Sequence, residues 1–171
     1  VAKLLKSVKN QKHRMMLCVG YGCGLRSGEV VKLKLEDIHS DQGMLAVRKS
    51  KGNKDRMVPI SANLISQLRE YFKIYRPTMG LFEGEKEGEH YSQRSLQMVF
   101  RRAVALNRFP EKHKFHDLRH SYATHMMDAG TNQHVIQKIL GHQNIKTTEI
   151  YTHVSKTLLQ RVYNPFDNLN M

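Results

Sequence analysis

Leu64, Ile65, Leu68, Tyr71, Phe72 and Tyr75 recur at steps of three and four behind Ser61, and Pro77 closes the run. That period puts all of them on one face of an amphipathic helix with Ser61 as its N-cap, and such a face has to be buried against other elements. The same period recurs along the chain. Leu96, Val99, Phe100, Ala103 and Val104 predict a second helix, and residues 116–129 a third, closed by Gly130. Thr131 is expected to cap a fourth, which carries Val135, Ile136, Ile139 and Leu140 and stops at Gly141. Leu4, Leu5, Val8 and Met15 follow a helix-compatible pattern already under way at Val1, before which no initiator Met stands; this reads as a piece of a longer protein lacking an N-terminal domain.

Between these helical blocks the period changes to two. Leu45 and Val47 alternate before a cation-rich stretch, Met57 and Val58 follow it, and Gly52-Asn53 in the middle favours a tight turn. A small antiparallel sheet over about residues 38–60 is expected, in a chain that is otherwise mainly α. Residues 84–89 are short and acidic and are expected to form a solvent loop, and residues 164–171 a weakly ordered tail.

With 171 residues, 40% hydrophobic and 25% charged, the chain reads as one globular domain. Its formal charge of +13 and pI of 9.9 point to a polyanionic partner, and nucleic acid heads that class. The cations are densest at Arg48, Lys49, Lys51, Lys54 and Arg56, so the first third of the chain is expected to face the polyanion. No apolar run approaches the roughly 18 to 20 residues that span a bilayer. Cys18 and Cys23 have no second pair with which to build a disulfide framework or a zinc site, so both are read as small apolar core residues in a reducing cytoplasm.

Three local patterns carry chemistry. In Gly22-Cys23-Gly24-Leu25-Arg26-Ser27-Gly28-Glu29, an Arg follows a Gly-rich turn, with Ser27 as a possible helix cap; a surface cation beside an ordinary turn is the plainer reading. In His116-Asp117-Leu118-Arg119-His120, His116 and Arg119 share a helical face that could hold a phosphate. A zinc pair at His116 and His120, with His113 one turn earlier, is disfavoured by the Arg between them, and a core-packed His120 is the plain alternative. In the third pattern, Leu140-Gly141-His142 precedes Tyr151 by nine residues; taken singly, these are a loop histidine and a core tyrosine.

Order changes the weight of these patterns. Gly24-Leu25-Arg26 with Glu29, then Ser50-Lys51-Gly52-Asn53-Lys54-Asp55-Arg56 leading to Val58-Pro59-Ile60, then His116-Asp117-Leu118-Arg119-His120, then Leu140-Gly141-His142 and Tyr151, resembles the catalytic domain of the tyrosine recombinases, the phage-integrase family. The resemblance runs from about Asn10 to Val154, with Ser50 standing where the family usually has Gly. It implies a mainly α fold with a small three-stranded antiparallel β-sheet, the integrase-like catalytic domain fold. It also implies a DNA recombinase in which Tyr151 attacks a phosphodiester to give a 3′-phosphotyrosyl link, with no metal, ATP or other cofactor. Arg26 and Arg119 would then clamp the phosphate, since guanidinium forks match phosphate oxygens. His116 would be the base for a phenol whose ordinary pKa is about 10, and Lys51 the acid for the departing 5′-oxygen, a split that could also run the other way. His142 would donate to a non-bridging oxygen and Glu29 would orient Arg26, while Arg48, Lys49, Lys54 and Arg56 would bind DNA. Partners would be double-stranded DNA, an N-terminal domain completing a clamp, and further copies in a tetramer, with Leu158, Leu159, Val162 and Phe166 docking on a neighbour. A topoisomerase-like relaxing enzyme and a non-catalytic DNA-binding module are the competing readings.

Overall fold

The structure, a computed structural model, describes residues 1–48, 55–85, 89–141 and 162–169. Ser61 accepts the backbone N–H of Leu64 at 3.1 Å and starts α4 (Ala62–Tyr75), whose Leu64, Ile65, Leu68 and Tyr71 are buried as the period requires. Arg76, in the left-handed region at φ 44°, ends that helix just before Pro77. The other helical blocks are α5 (Gln93–Leu106), α6 (His116–Asp128) and α7 (Gln133–Leu140), which bury Leu96, Val99 and Phe100, Leu118, Tyr122 and Met126, and Val135, Ile136 and Ile139 respectively. The cap of α7 is Asn132 and not Thr131: the Asn132 side chain accepts the His134 N–H at 2.9 Å, while Thr131 N–H closes the preceding helix on Met126 O.

The N-terminal apolar pattern divides into two helices. α1 (Ala2–Ser7) stops at the extended Val8, and Asn10 then caps α2 (Gln11–Gly22) by accepting from His13 N–H at 3.0 Å. Every residue of α2 from Met15 to Gly22 is buried, and this central helix packs against α1, α3, α4, α5 and α6. Cys18 and Cys23 are fully buried in this region, with thiol pKa values pushed up to about 12 by burial.

α3 (Ser27–Val31) leads to a three-stranded antiparallel sheet in the order β1 (Ile38–His39), β2 (Met44–Val47), β3 (Arg56–Pro59). Leu45 pairs with Val58 and Val47 with Arg56, so Leu45, Val47 and Val58 all reach the core. The expected Gly52-Asn53 turn lies outside the described residues. Of the acidic loop, Gly84 N–H bonds Glu89 O at 2.7 Å beside an isolated Glu83–His90 bridge.

The expectation of a loose tail fails for residues 164–169. Asn164 donates to Gly22 O at 2.8 Å and accepts Phe166 N–H at 3.0 Å, and Pro165–Leu169 forms a 3-10 turn. Phe166 is fully buried beside Tyr21, where an aromatic side chain gains about 2 to 3 kcal/mol by leaving water. Phe166 thus packs into the core of its own domain; Leu158 and Leu159 lie outside the described residues.

Candidate active site

The Gly-rich turn after α2 sets the site. Gly24 has φ +60°, and a Cβ there would lie 2.8 Å from both Tyr122 and Leu140, so the reversal that delivers Arg26 needs glycine on two counts. Ser27 is the first residue of α3 and not its cap. Arg26 holds the cap position, and Glu29 reaches back to accept the Arg26 N–H at 2.8 Å. Ser27 Oγ instead accepts from Gln93 Nε2 at 3.0 Å, tying α3 to α5.

Glu29 is the hub. Its carboxylate takes Arg26 NH1 at 3.1 Å and both ends of the Arg56 fork at 2.8 and 3.0 Å, and Arg119 NH1 stands 4.0 Å away. Burial alone would raise the Glu29 pKa, but the Arg56 and Arg26 hydrogen bonds and charges outweigh it and bring it down to about 2. Arg119 is 1% exposed and donates to Gly24 O at 2.8 Å and to Leu140 O. Burial, then the charges of Arg26 and Arg56, lower its pKa to about 10 against the pull of Glu29, so it stays cationic at neutral pH.

Arg26 is more accessible, with 45% of its side chain exposed, and it shares with His116 a cavity of about 410 Å³. The same cavity is lined by Gln93 and Gln97 of α5 and by Arg101 and Lys114. A neighbouring hollow of about 440 Å³ continues past Arg101 and Lys114 to Arg102 and Lys112, forming a cationic path that leads to Arg26. Burial first, then the charges of His120, Arg119 and Arg26, lower the His116 pKa, which favours the neutral imidazole able to accept a proton.

Of the residues expected in the site, the structure brings together Arg26, Glu29, His116 and Arg119. His120 is exposed, not in the core, and meets His116 edge to face at 4.6 Å between centroids, while His113 Nδ1 faces Asp117 at 2.8 Å. Arg56 corrects the expectation that it binds DNA: its side chain is 8% exposed and turned inward, with hydrogen bonds to Glu29 and to Ile139 O at 2.8 Å. Arg48 stays at the surface but is paired with Asp37 at 2.7 Å and Glu36 at 2.9 Å. Lys49, Lys51, Lys54, His142 and Tyr151 lie outside the described residues. The path through Arg101 and Lys114 was missed because the cations are densest in the first third; the signal for it was Arg101 on the polar face of α5 and Lys114 two residues before His116.

Residues 1–157 match the Phage integrase family. The chain belongs to the phage integrase family. As a phage integrase family chain it is 35% identical over 161 residues to tyrosine recombinase XerA of Pyrococcus horikoshii, covering 91% of this chain and 55% of that protein. It is 34% identical over 170 residues to tyrosine recombinase XerD of Staphylococcus saprophyticus, covering 95% and 57%. The chain thus spans little more than half the length of these curated relatives. Its fold is that of a crystal structure of XerA recombinase, at a TM-score of 0.75 and 27% identity over 92% of this chain and 58% of the other. It is likewise similar to a XerH site-specific recombinase bound to its difH substrate before cleavage, with a TM-score of 0.72 and 28% identity over 89% and 47%. Among the described residues no helix is long and apolar enough to cross a membrane.

Proposed function

We propose that this chain is the catalytic part of a site-specific DNA recombinase or integrase, acting on double-stranded DNA through a phosphotyrosyl intermediate. The observation that carries the reading is the pair Arg26 and Arg119 braced on one carboxylate, with Arg26 and His116 lining one cavity at the end of a cationic path. Attack on a phosphodiester adds charge to a group that already has one, and fixed guanidinium groups supply the compensation that divalent ions supply in other phosphoryl-transfer sites.

In this reading Tyr151 Oη forms a bond to phosphorus as the bond to the 5′-oxygen breaks. His116 takes the phenolic proton and Lys51 supplies one to the departing 5′-oxygen. His142 donates to a non-bridging oxygen. Reversal by the 5′-hydroxyl of a second strand returns the tyrosine and conserves the bond energy, so no ATP is consumed. Arg101, Lys114 and Lys112 would hold the duplex by its phosphates, which makes affinity strongly dependent on salt. A tetramer on two DNA sites is the proposed working assembly, and the XerA and XerD relatives support the reaction class.

Nicked duplexes tiled across the DNA flanking the gene, incubated with the protein in EDTA, test the reading. A shifted band that survives SDS with the wild type, and vanishes with Tyr151→Phe while binding persists, is the expected result. SDS-resistant shifts that require a divalent ion, or that persist in Tyr151→Phe, would refute it.

A further inference from the structure

Three guanidinium groups converge on Glu29, and they are not equivalent. Arg26 opens onto the cavity it shares with His116, and Arg119 stands at the end of α7 with two donors on backbone carbonyls. Arg56 comes from β3 and, like Arg119, does not line that cavity; what sets it apart is that NH1 and NH2 each donate to an oxygen of Glu29. Its remaining Nε holds Ile139 O, one residue from the Leu140 carbonyl that holds Arg119. Gly141 follows at φ +67°, where a Cβ would lie 3.0 Å from Arg56 Cδ, so the turn after α7 is fitted against the Arg56 side chain.

We propose that Arg56 is a positioning residue that neutralises Glu29, so that this carboxylate braces Arg26 and Arg119 without cancelling the charge they present to a phosphate. The inference rests on the recombinase reading above. A partly buried carboxylate with no partner of its own attracts the nearest cations strongly. Arg119 NH1 is already 4.0 Å from it and Arg26 NH1 is at 3.1 Å. Without Arg56, the Glu29 oxygens turn to these two, draw their donors off the phosphate and leave the cluster with one net cation fewer. Substituting Glu29 as well removes the cause, because a glutamine at that position still accepts the Arg26 N–H and carries no charge.

The test uses single-turnover formation of the SDS-stable link at saturating protein, on the nicked duplex found above, alongside duplex affinity and thermal melting. R56Q is expected to slow the link on the order of a hundredfold, the scale of losing a transition-state contact, with affinity within about threefold of wild type. R56K, which keeps the charge but not the fork, falls between the two. The decisive comparison is R56Q/E29Q, expected to react at least about tenfold faster than R56Q, because a purely structural or DNA-contacting Arg56 gives no recovery when a second residue is lost. Where R56Q alone does not fold, the double variant still decides: it must react within about tenfold of wild type. R56Q within about threefold of wild type, or a double variant no faster than R56Q, overturns the proposal. A wild type that forms no link overturns the recombinase reading and this inference together, and is told apart because the unsubstituted protein itself fails.

Discussion

Removing Arg119 should damage stability and chemistry by separable amounts. Its guanidinium is 1% exposed and bonds Gly24 O and Leu140 O, one in the turn before α3 and the other in the last turn of α7. Arg119→Ala leaves both carbonyls without this donor and strips Glu29 of a neighbouring cation. Each unpaired buried acceptor costs about 1 to 3 kcal/mol, so the pair costs about 2 to 6 kcal/mol, and entry of water places the expected loss near 3 to 5 kcal/mol. Set against a typical total of about 5 to 15 kcal/mol, that loss is large. With a urea slope of about 1 to 3 kcal/mol per molar, a loss of about 4 kcal/mol moves the midpoint down by about 2 M. Arg119→Lys should cost less, about 1 to 3 kcal/mol, because one ammonium can serve one carbonyl. Its cleavage should still fall by about a hundredfold or more, since a point charge cannot hold two carbonyls and a phosphate at once. Urea melts and single-turnover cleavage measure the two quantities. An Ala variant within about 1 kcal/mol of wild type, or a Lys variant cleaving within about threefold, would refute the reasoning.

Glu29 makes a prediction about acid. Its folded pKa of about 2 lies below the ordinary 4.5, so the stability it contributes is complete above about pH 4.5 and is lost as pH falls towards 2. The shift corresponds to about 3 kcal/mol, and in urea melts Glu29→Gln should lack that part of the acid dependence; equal slopes in the two proteins would contradict the depressed pKa. Gly24→Ala should destabilise by about 2 to 4 kcal/mol from left-handed strain and the 2.8 Å contacts, whereas Gly130→Ala, at φ +81° with nothing within 4 Å, should cost about 1 to 2 kcal/mol; thermal melts rank them. Arg101→Ala and Lys114→Ala should each weaken duplex binding and reduce the slope of log affinity against log salt by about 0.9, while a slope equal to wild type in both would remove them from the DNA path.

The sequence made the helices legible wherever one apolar stripe ran long enough to outweigh local ambiguity, as in α4 and α5, and it made the sheet legible through alternation at Leu45, Val47, Met57 and Val58. Ends were less legible where two cap-forming residues stand side by side: Thr131 and Asn132 can both accept, and only the path of the preceding helix assigns Thr131 elsewhere. Arg26, Glu29, His116 and Arg119 could be read together because a motif order links them, although no periodicity brings α3 next to α6. The inward turn of Arg56 was hidden because it depends on Glu29, far away in the chain, while in the sequence it stands in a cation-rich run with Lys49, Lys51 and Lys54. Phe166 was hidden in the same way, since its burial depends on Tyr21 and Gly22 of α2, which only the fold delivers.

The most direct measurement is to digest the SDS-stable protein–DNA adduct with nuclease and trypsin and find the nucleotide-bearing peptide by mass spectrometry. Trypsin should release residues 147–156, which contain a single tyrosine, Tyr151. A nucleotide 3′-phosphate on that peptide, fragmenting at Tyr151, is the predicted result. An adduct on the peptide beginning at Val162, which carries Tyr163, or an adduct on a residue other than tyrosine, would contradict it.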